Sequence, residues 1–176
     1  AKVIDTIKLK ETRAFPVNEQ EYVVSRKCIF NRIVGDSHLE LRFSNFLDEC
    51  VDVVSFAKLY QRINFKLDYV DTEGKIRDYF PDFIVKMEDG TVVIGETKGL
   101  TDVDVPIKMK RLKAWCEDIN AEQDELKFDF IFVPEKEFDD LLSSYVDGLL
   151  KGKPKSFAHA LKLFNQYKED ANALDS

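Results

Sequence analysis

Apolar and polar positions along this chain fall into stretches with a period near 3.6 and stretches that alternate or stay apolar, which separates helices from strands. Ser37-His38-Leu39-Glu40 has the form of a capping box, and Leu39, Phe43, Phe46, Leu47 and Cys50 follow at helical spacing. That pattern predicts a helix over about 38–49. Before it the pattern is mixed, with Tyr22 to Phe30 the best strand candidate and Phe15-Pro16 an extended turn. Val51 to Ala57 and Phe65 to Val70 read as strands, and Asp71-Thr72-Glu73-Gly74 as a turn. Tyr79 to Gly99 reads as a hairpin around Glu88-Asp89-Gly90. Pro106 suits the first turn of a second helix running to about Asn120, with Val105, Met109, Leu112, Cys116 and Ile119 inward. A short buried strand, Lys127 to Val133, ends at Pro134, and helices are expected near 136–151 and 156–170, separated by Gly152-Lys153-Pro154. The order predicts an α/β fold, a mixed sheet flanked by helices, with the hairpin central to the sheet.

The hairpin carries the chemistry, because it places Asp82, Glu96 and Lys98 at the ends of otherwise apolar strands. An ionised carboxylate is costly to bury unless a cation or hydrogen bonds compensate it, so such charges point to a site. Their arrangement depends on the turn. A three-residue loop, Glu88-Asp89-Gly90 with Gly90 in the left-handed conformation, puts Met87 opposite Thr91 and Asp82 opposite Glu96. A two-residue turn at Asp89-Gly90 puts Asp82 opposite Thr97 and turns Glu96 to the other face. In the first register Asp82, Ile84, Lys86, Val92, Ile94, Glu96 and Lys98 share a face, while Phe83, Val85, Met87, Val93 and Gly95 occupy the other. Magnesium takes hard oxygen ligands, few of them from protein, and Asp82, Glu96 and the backbone carbonyl of Thr97 suit that requirement. Lys98 would orient the attacking water or offset charge on a phosphate. The competing explanation is a structural ion pair between Lys98 and one carboxylate.

Composition narrows the setting. A chain of 176 residues that is 44% hydrophobic can bury one sizeable core, so residues 1–176 are expected to form one domain. It begins with Ala rather than Met, as a piece of a longer chain would. No apolar run reads as a signal peptide or is long enough to span a bilayer, and a cytoplasmic location is expected. Cys28, Cys50 and Cys116 are odd in number and lack CxxC spacing, which argues against a disulfide framework and a zinc site. The net charge of −7 argues against nucleic-acid binding by overall charge, yet its distribution is uneven. Lys98 to Lys113 holds five basic residues against two acids, whereas Glu117 to Asp140 holds ten acids and only Lys127 and Lys136.

Pro81-Asp82 followed by Glu96-Thr97-Lys98 resembles the PD-(D/E)XK nuclease signature. Tyr79 to Val85, Gly95 to Gly99 and Lys108 to Asn120, with Trp115-Cys116-Glu117, are similar to the C-terminal endonuclease domain of the Res subunit of type III restriction enzymes. Ser37 to Ala57 adds Glu40, Phe43, Leu47-Asp48 and Val53-Val54-Ser55-Phe56-Ala57. The resemblance covers about residues 37–133, leaving about 136–170 as a helical extension. It implies a restriction-endonuclease-like core and magnesium-dependent cleavage of double-stranded DNA, with manganese as a substitute ion. It makes Asp82 and Glu96 metal ligands and Lys98 the catalytic lysine. Glu40 becomes a helix-borne acid, a role that competes with simple capping of its own helix. The resemblance also implies a helicase-like ATPase motor in the same parent chain and a methylation (Mod) subunit. No GxxxxGK[ST] loop occurs here, so ATP would act only through that absent motor.

Lys108, Arg111 and Trp115 lie at helical spacing, where the two cations could meet DNA phosphates; core packing is the favoured role for Trp115. His38 and His159, the only histidines, have no context that suggests catalysis. Two other readings stay open: a non-catalytic DNA-binding or docking module on the same scaffold, and a PD-(D/E)XK nuclease of DNA repair or transposition.

Overall fold

A computed structural model describes residues 6–16, 21–98 and 103–164 of the chain. In order, the elements are β1 (Tyr22–Val23), β2 (Ile33–Val34), α1 (His38–Glu49), β3 (Val53–Lys58), β4 (Leu67–Val70), β5 (Ile76–Tyr79), β6 (Phe83–Met87) and β7 (Val92–Lys98). They continue with α2 (Val105–Glu122), β8 (Phe128–Pro134), α3 (Glu135–Asp147) and α4 (Phe157–Leu163). Four strands form the main sheet in the order β3-β6-β7-β8, with β1-β2 and β4-β5 as separate pairs. The sheet is mixed, since β6 is antiparallel to both β3 and β7 while β8 runs parallel to β7. The β7–β8 connection contains α2, as a parallel pair requires a crossover.

Ser37 caps α1, its hydroxyl accepting the Glu40 N–H at 3.3 Å. The reciprocal bond of the box is displaced by one residue: Glu40 Oε2 accepts the N–H of Asp36, at 2.8 Å, rather than that of Ser37. The inward face of α1 then lays Leu39, Phe43, Phe46 and Leu47 against Phe83, Val85, Val93, Ile131 and Val133 of the sheet. Phe43 is fully buried, with its ring edge-on to Phe83 at 5.1 Å and to Phe138 of α3 at 5.6 Å. The opposite sheet face packs Ile94, Phe130 and Phe132 against Val105, Met109, Leu112 and Cys116 of α2. Both faces being covered, β7 is buried from Val92 through Thr97, which explains its nearly unbroken apolar run.

Several expected elements differ. The Tyr22 to Phe30 strand reduces to Tyr22–Val23, because Ser25, Arg26 and Lys27 turn toward α1 instead, where Asp48 accepts their hydroxyl and N–H groups. Ile76–Tyr79 is a strand that its polar Arg77-Asp78 concealed, and it pairs with β4 as a hairpin outside the main sheet. The first C-terminal helix ends at Asp147 rather than 151, and the second is described only to Leu163, so 165–170 lie outside the described residues, as do Gly99 and Asp102. Asp52 fastens α4 to the start of β3, accepting the Phe157 N–H at 2.7 Å and the Ala158 N–H at 2.9 Å. No described helix is long and apolar enough to cross a membrane.

Candidate active site

The turn between β6 and β7 decides the geometry of the site. Gly90 has φ of +86°, a conformation that costs glycine nothing and a residue with a Cβ about 1–2 kcal/mol. Met87 donates its N–H to Thr91 at 2.9 Å, and Ile84 pairs with Ile94 and Phe83 with Gly95. This is the three-residue register. Ladder pairing stops at Phe83–Gly95, so Asp82 and Glu96 do not form a strand pair as the register alone would place them. Instead the Asp82 N–H also turns to the Gly95 carbonyl, at 3.0 Å. Its carboxylate replaces the missing backbone acceptor: Oδ2 takes the Thr97 N–H and the Thr97 hydroxyl, each at 2.8 Å. The N–H and C=O of one strand residue point to the same edge, so the Thr97 carbonyl lies on the Asp82 side of β7.

Glu96 sits on the α2 face and is 5% exposed, and its Oε2 has no hydrogen-bond partner among the described residues. The Tyr79 phenol is buried nearby, close enough for each group to perturb the other, yet among the described residues it makes no hydrogen bond of adequate geometry. Burial, then the charge of Asp82, push the Glu96 carboxyl well above the usual range, against the weaker pull of Lys108 and Lys98. Burial raises Asp82 to about 6, with the Glu40 charge adding to the rise and Thr97 and Lys58 opposing it. A buried carboxyl is accommodated either by protonation or by a cation, and for two neighbouring oxygen donors a hard divalent ion is the cation that suits. Among the described residues no group of three or more His, Cys, Asp or Glu has a metal-ligand arrangement, so an ion here would rest on two carboxylates and otherwise on backbone, water or substrate oxygens. The donor set fits magnesium, which keeps much of its hydration.

Comparison with known proteins gave no matching family model, curated relative or solved structure. The site is therefore judged on its own chemistry.

The remaining candidates divide. Lys98, two residues beyond Glu96, closes β7 and is half-buried. Lys108 projects from α2 to within 5.7 Å of the Tyr79 ring centroid and 5.9 Å of that of Tyr69, and its charge reaches Glu96. Arg111 holds the β4-β5 hairpin, its Nε donating to the Asp68 carbonyl at 2.9 Å. Trp115 packs edge-on between Phe65 and Phe128, at 5.3 and 5.5 Å. His38 is exposed and 3.3 Å from Glu21. Glu40 lies on the α1 side of the sheet end, where its carboxylate meets the Asp36 N–H and the Lys58 ammonium.

Lys58 is the residue that sequence reasoning missed. It closes β3 opposite Phe83, is 2% exposed, and lines a cleft of about 560 Å³ together with Asp36, Tyr60, Arg62, Phe80 and Asp82. Burial works against its charge, but the hydrogen bond and charge of Glu40, then Asp36, outweigh it and hold the ammonium above the ordinary lysine value. The signal was present: a lysine ends the apolar run Val53-Val54-Ser55-Phe56-Ala57, as Asp82 opens the next strand.

Proposed function

We propose that this chain is a magnesium-dependent endodeoxyribonuclease domain that hydrolyses DNA phosphodiester bonds within a type III restriction enzyme. The observation that carries this reading is Glu96 Oε2, buried without a hydrogen-bond partner among the described residues and beside a second strongly perturbed carboxyl at the end of the central hairpin. Such a pair is unfavourable for folding alone and suits a site that binds a divalent cation. Asp82 and Glu96 would hold the ion, with the Thr97 carbonyl on the same side of the strand. Bound there, magnesium supplies Lewis-acid polarisation of the phosphate and a more acidic water. Thr97 fixes the Asp82 carboxylate through two hydrogen bonds, leaving Oδ1 for the cation. Lys98 follows Glu96 on the strand edge, and its ammonium orients the attacking water and offsets the negative charge that builds on the phosphoryl oxygens. Lys108 adds positive potential on the α2 side of Glu96.

The net charge of −7 fits a domain delivered to double-stranded DNA by partners, here an ATPase motor in the same polypeptide and a methylation subunit. Nicking of supercoiled plasmid by the full-length polypeptide with its partners tests the assignment. Asp82→Ala, Glu96→Ala and Lys98→Ala should each lower the rate by about a hundredfold or more. Undiminished nicking in all three would overturn it.

A further inference from the structure

The cleft before Asp82 has a second charged wall, which the chemistry above leaves unused. The Lys58 side chain is 3% exposed, and its ammonium binds Glu40 Oε2 and, at 3.2 Å, Asp36 Oδ2. It also stands 5.6 Å from the centroid of the Tyr60 ring. Tyr60 is itself fixed, its hydroxyl accepting the Val34 N–H at 2.9 Å. A cation this deep persists only when several partners compensate it, so the cluster is built around a positive charge. Lys58, Asp36 and Asp82 line the same cleft, and Glu40 of α1 holds the Lys58 ammonium from behind it.

We propose that Lys58 stands where a second divalent cation would otherwise bind, so that the site takes one metal ion, on Asp82 and Glu96. Lys58 is then a positioning residue: it neutralises Glu40 and keeps that carboxylate away from the ion. This rests on the metal-dependent nuclease reading and deepens it. Without the ammonium, Glu40, only 7% exposed, would lack a cation, and a hydrated divalent ion would be drawn to its carboxylate.

Manganese titration, with free Mn²⁺ counted by electron paramagnetic resonance in the absence of DNA, tests this without any activity readout. The double variant Asp82→Asn, Glu96→Gln sets the level of adventitious surface binding. Above that level, wild type and Lys58→Arg should hold one ion, Lys58→Met two, and Lys58→Met combined with Glu40→Gln one again. Two ions in wild type would overturn the inference and leave the metal reading standing. A single ion in folded Lys58→Met would overturn the exclusion role. No ion in wild type would overturn the metal reading and this inference with it. Should circular dichroism show Lys58→Met unfolded, Lys58→Gln, whose neutral amide can still donate to Glu40, takes its place with the same expectation of two ions, and a single ion there would overturn the exclusion role.

Discussion

Lys58→Met also perturbs stability in a way whose size follows from burial. Glu40 is 7% exposed and Lys58 2%, so removing the ammonium leaves a carboxylate with one backbone N–H in a site water scarcely reaches. Breaking one side of a buried pair costs about 3–5 kcal/mol, whereas replacing both partners by neutral groups of similar volume is close to neutral. In a chain of this size 1 kcal/mol moves Tm by about 2–4 °C, so the single variant should melt about 6–20 °C below wild type. Adding Glu40→Gln should recover most of that loss and give a coupling energy of about 3 kcal/mol in a double-mutant cycle. Glu40→Gln alone should cost less, because Asp36 still faces the ammonium. Urea denaturation in EDTA is the assay, since a bound cation would stabilise the folded state and mask the effect. The lysine is held above its ordinary value, so its contribution is complete below about pH 10.4 and disappears as pH rises through the folded value. A coupling below about 1 kcal/mol, the level of exposed ion pairs, would refute the argument.

Two further outcomes probe the scaffold around the site. Gly90→Ala adds a Cβ that meets nothing within 4 Å, so its cost is the left-handed backbone alone, about 1–2 kcal/mol, and an unchanged melting curve would contradict the turn that sets the register. Asp48 ties the Ser25–Lys27 loop to α1, accepting the Ser25 hydroxyl at 2.6 Å and two N–H groups; burial alone would raise its carboxyl, but these bonds and Arg26 hold it below the usual range. A depressed carboxyl stabilises above its unfolded value, about pH 3.9, and loses that contribution as pH falls through the folded value. Wild type should therefore exceed Asp48→Asn by about 1.5–3 kcal/mol at pH 7, with the gap narrowing as pH falls below about 3.9 in urea titrations; a gap independent of pH would refute it.

The chain's pattern determined the local framework because short-range physics sets it. Leu39, Phe43, Phe46 and Leu47 repeat at helical spacing, so α1 was legible to its ends, and Pro106 with Val105, Met109, Leu112 and Cys116 placed α2, which runs two residues beyond the expected Asn120. Glycine at position 90 is the natural occupant of a left-handed turn position and so marked the turn, while the choice between its two registers waited on the Met87–Thr91 pairing. The polar hairpin strand Ile76–Tyr79 escaped because it packs outside the main sheet and shows no clear alternation.

What tertiary structure alone decided is the company each charge keeps. Nothing in the order of residues states that the ladder stops one step before Asp82 and that its carboxylate takes over the bonding of Thr97. Nor does local pattern link Lys58 to Glu40, eighteen positions apart on a strand and a helix. The reason is physical: periodicity records which face of an element is buried, whereas the cost of a buried charge depends on groups that meet only when the elements pack. Asp82, Glu96 and Lys98 were visible as charges in apolar strands; the fold decided that Lys58 and Glu40 lie close enough to Asp82 to act on its charge.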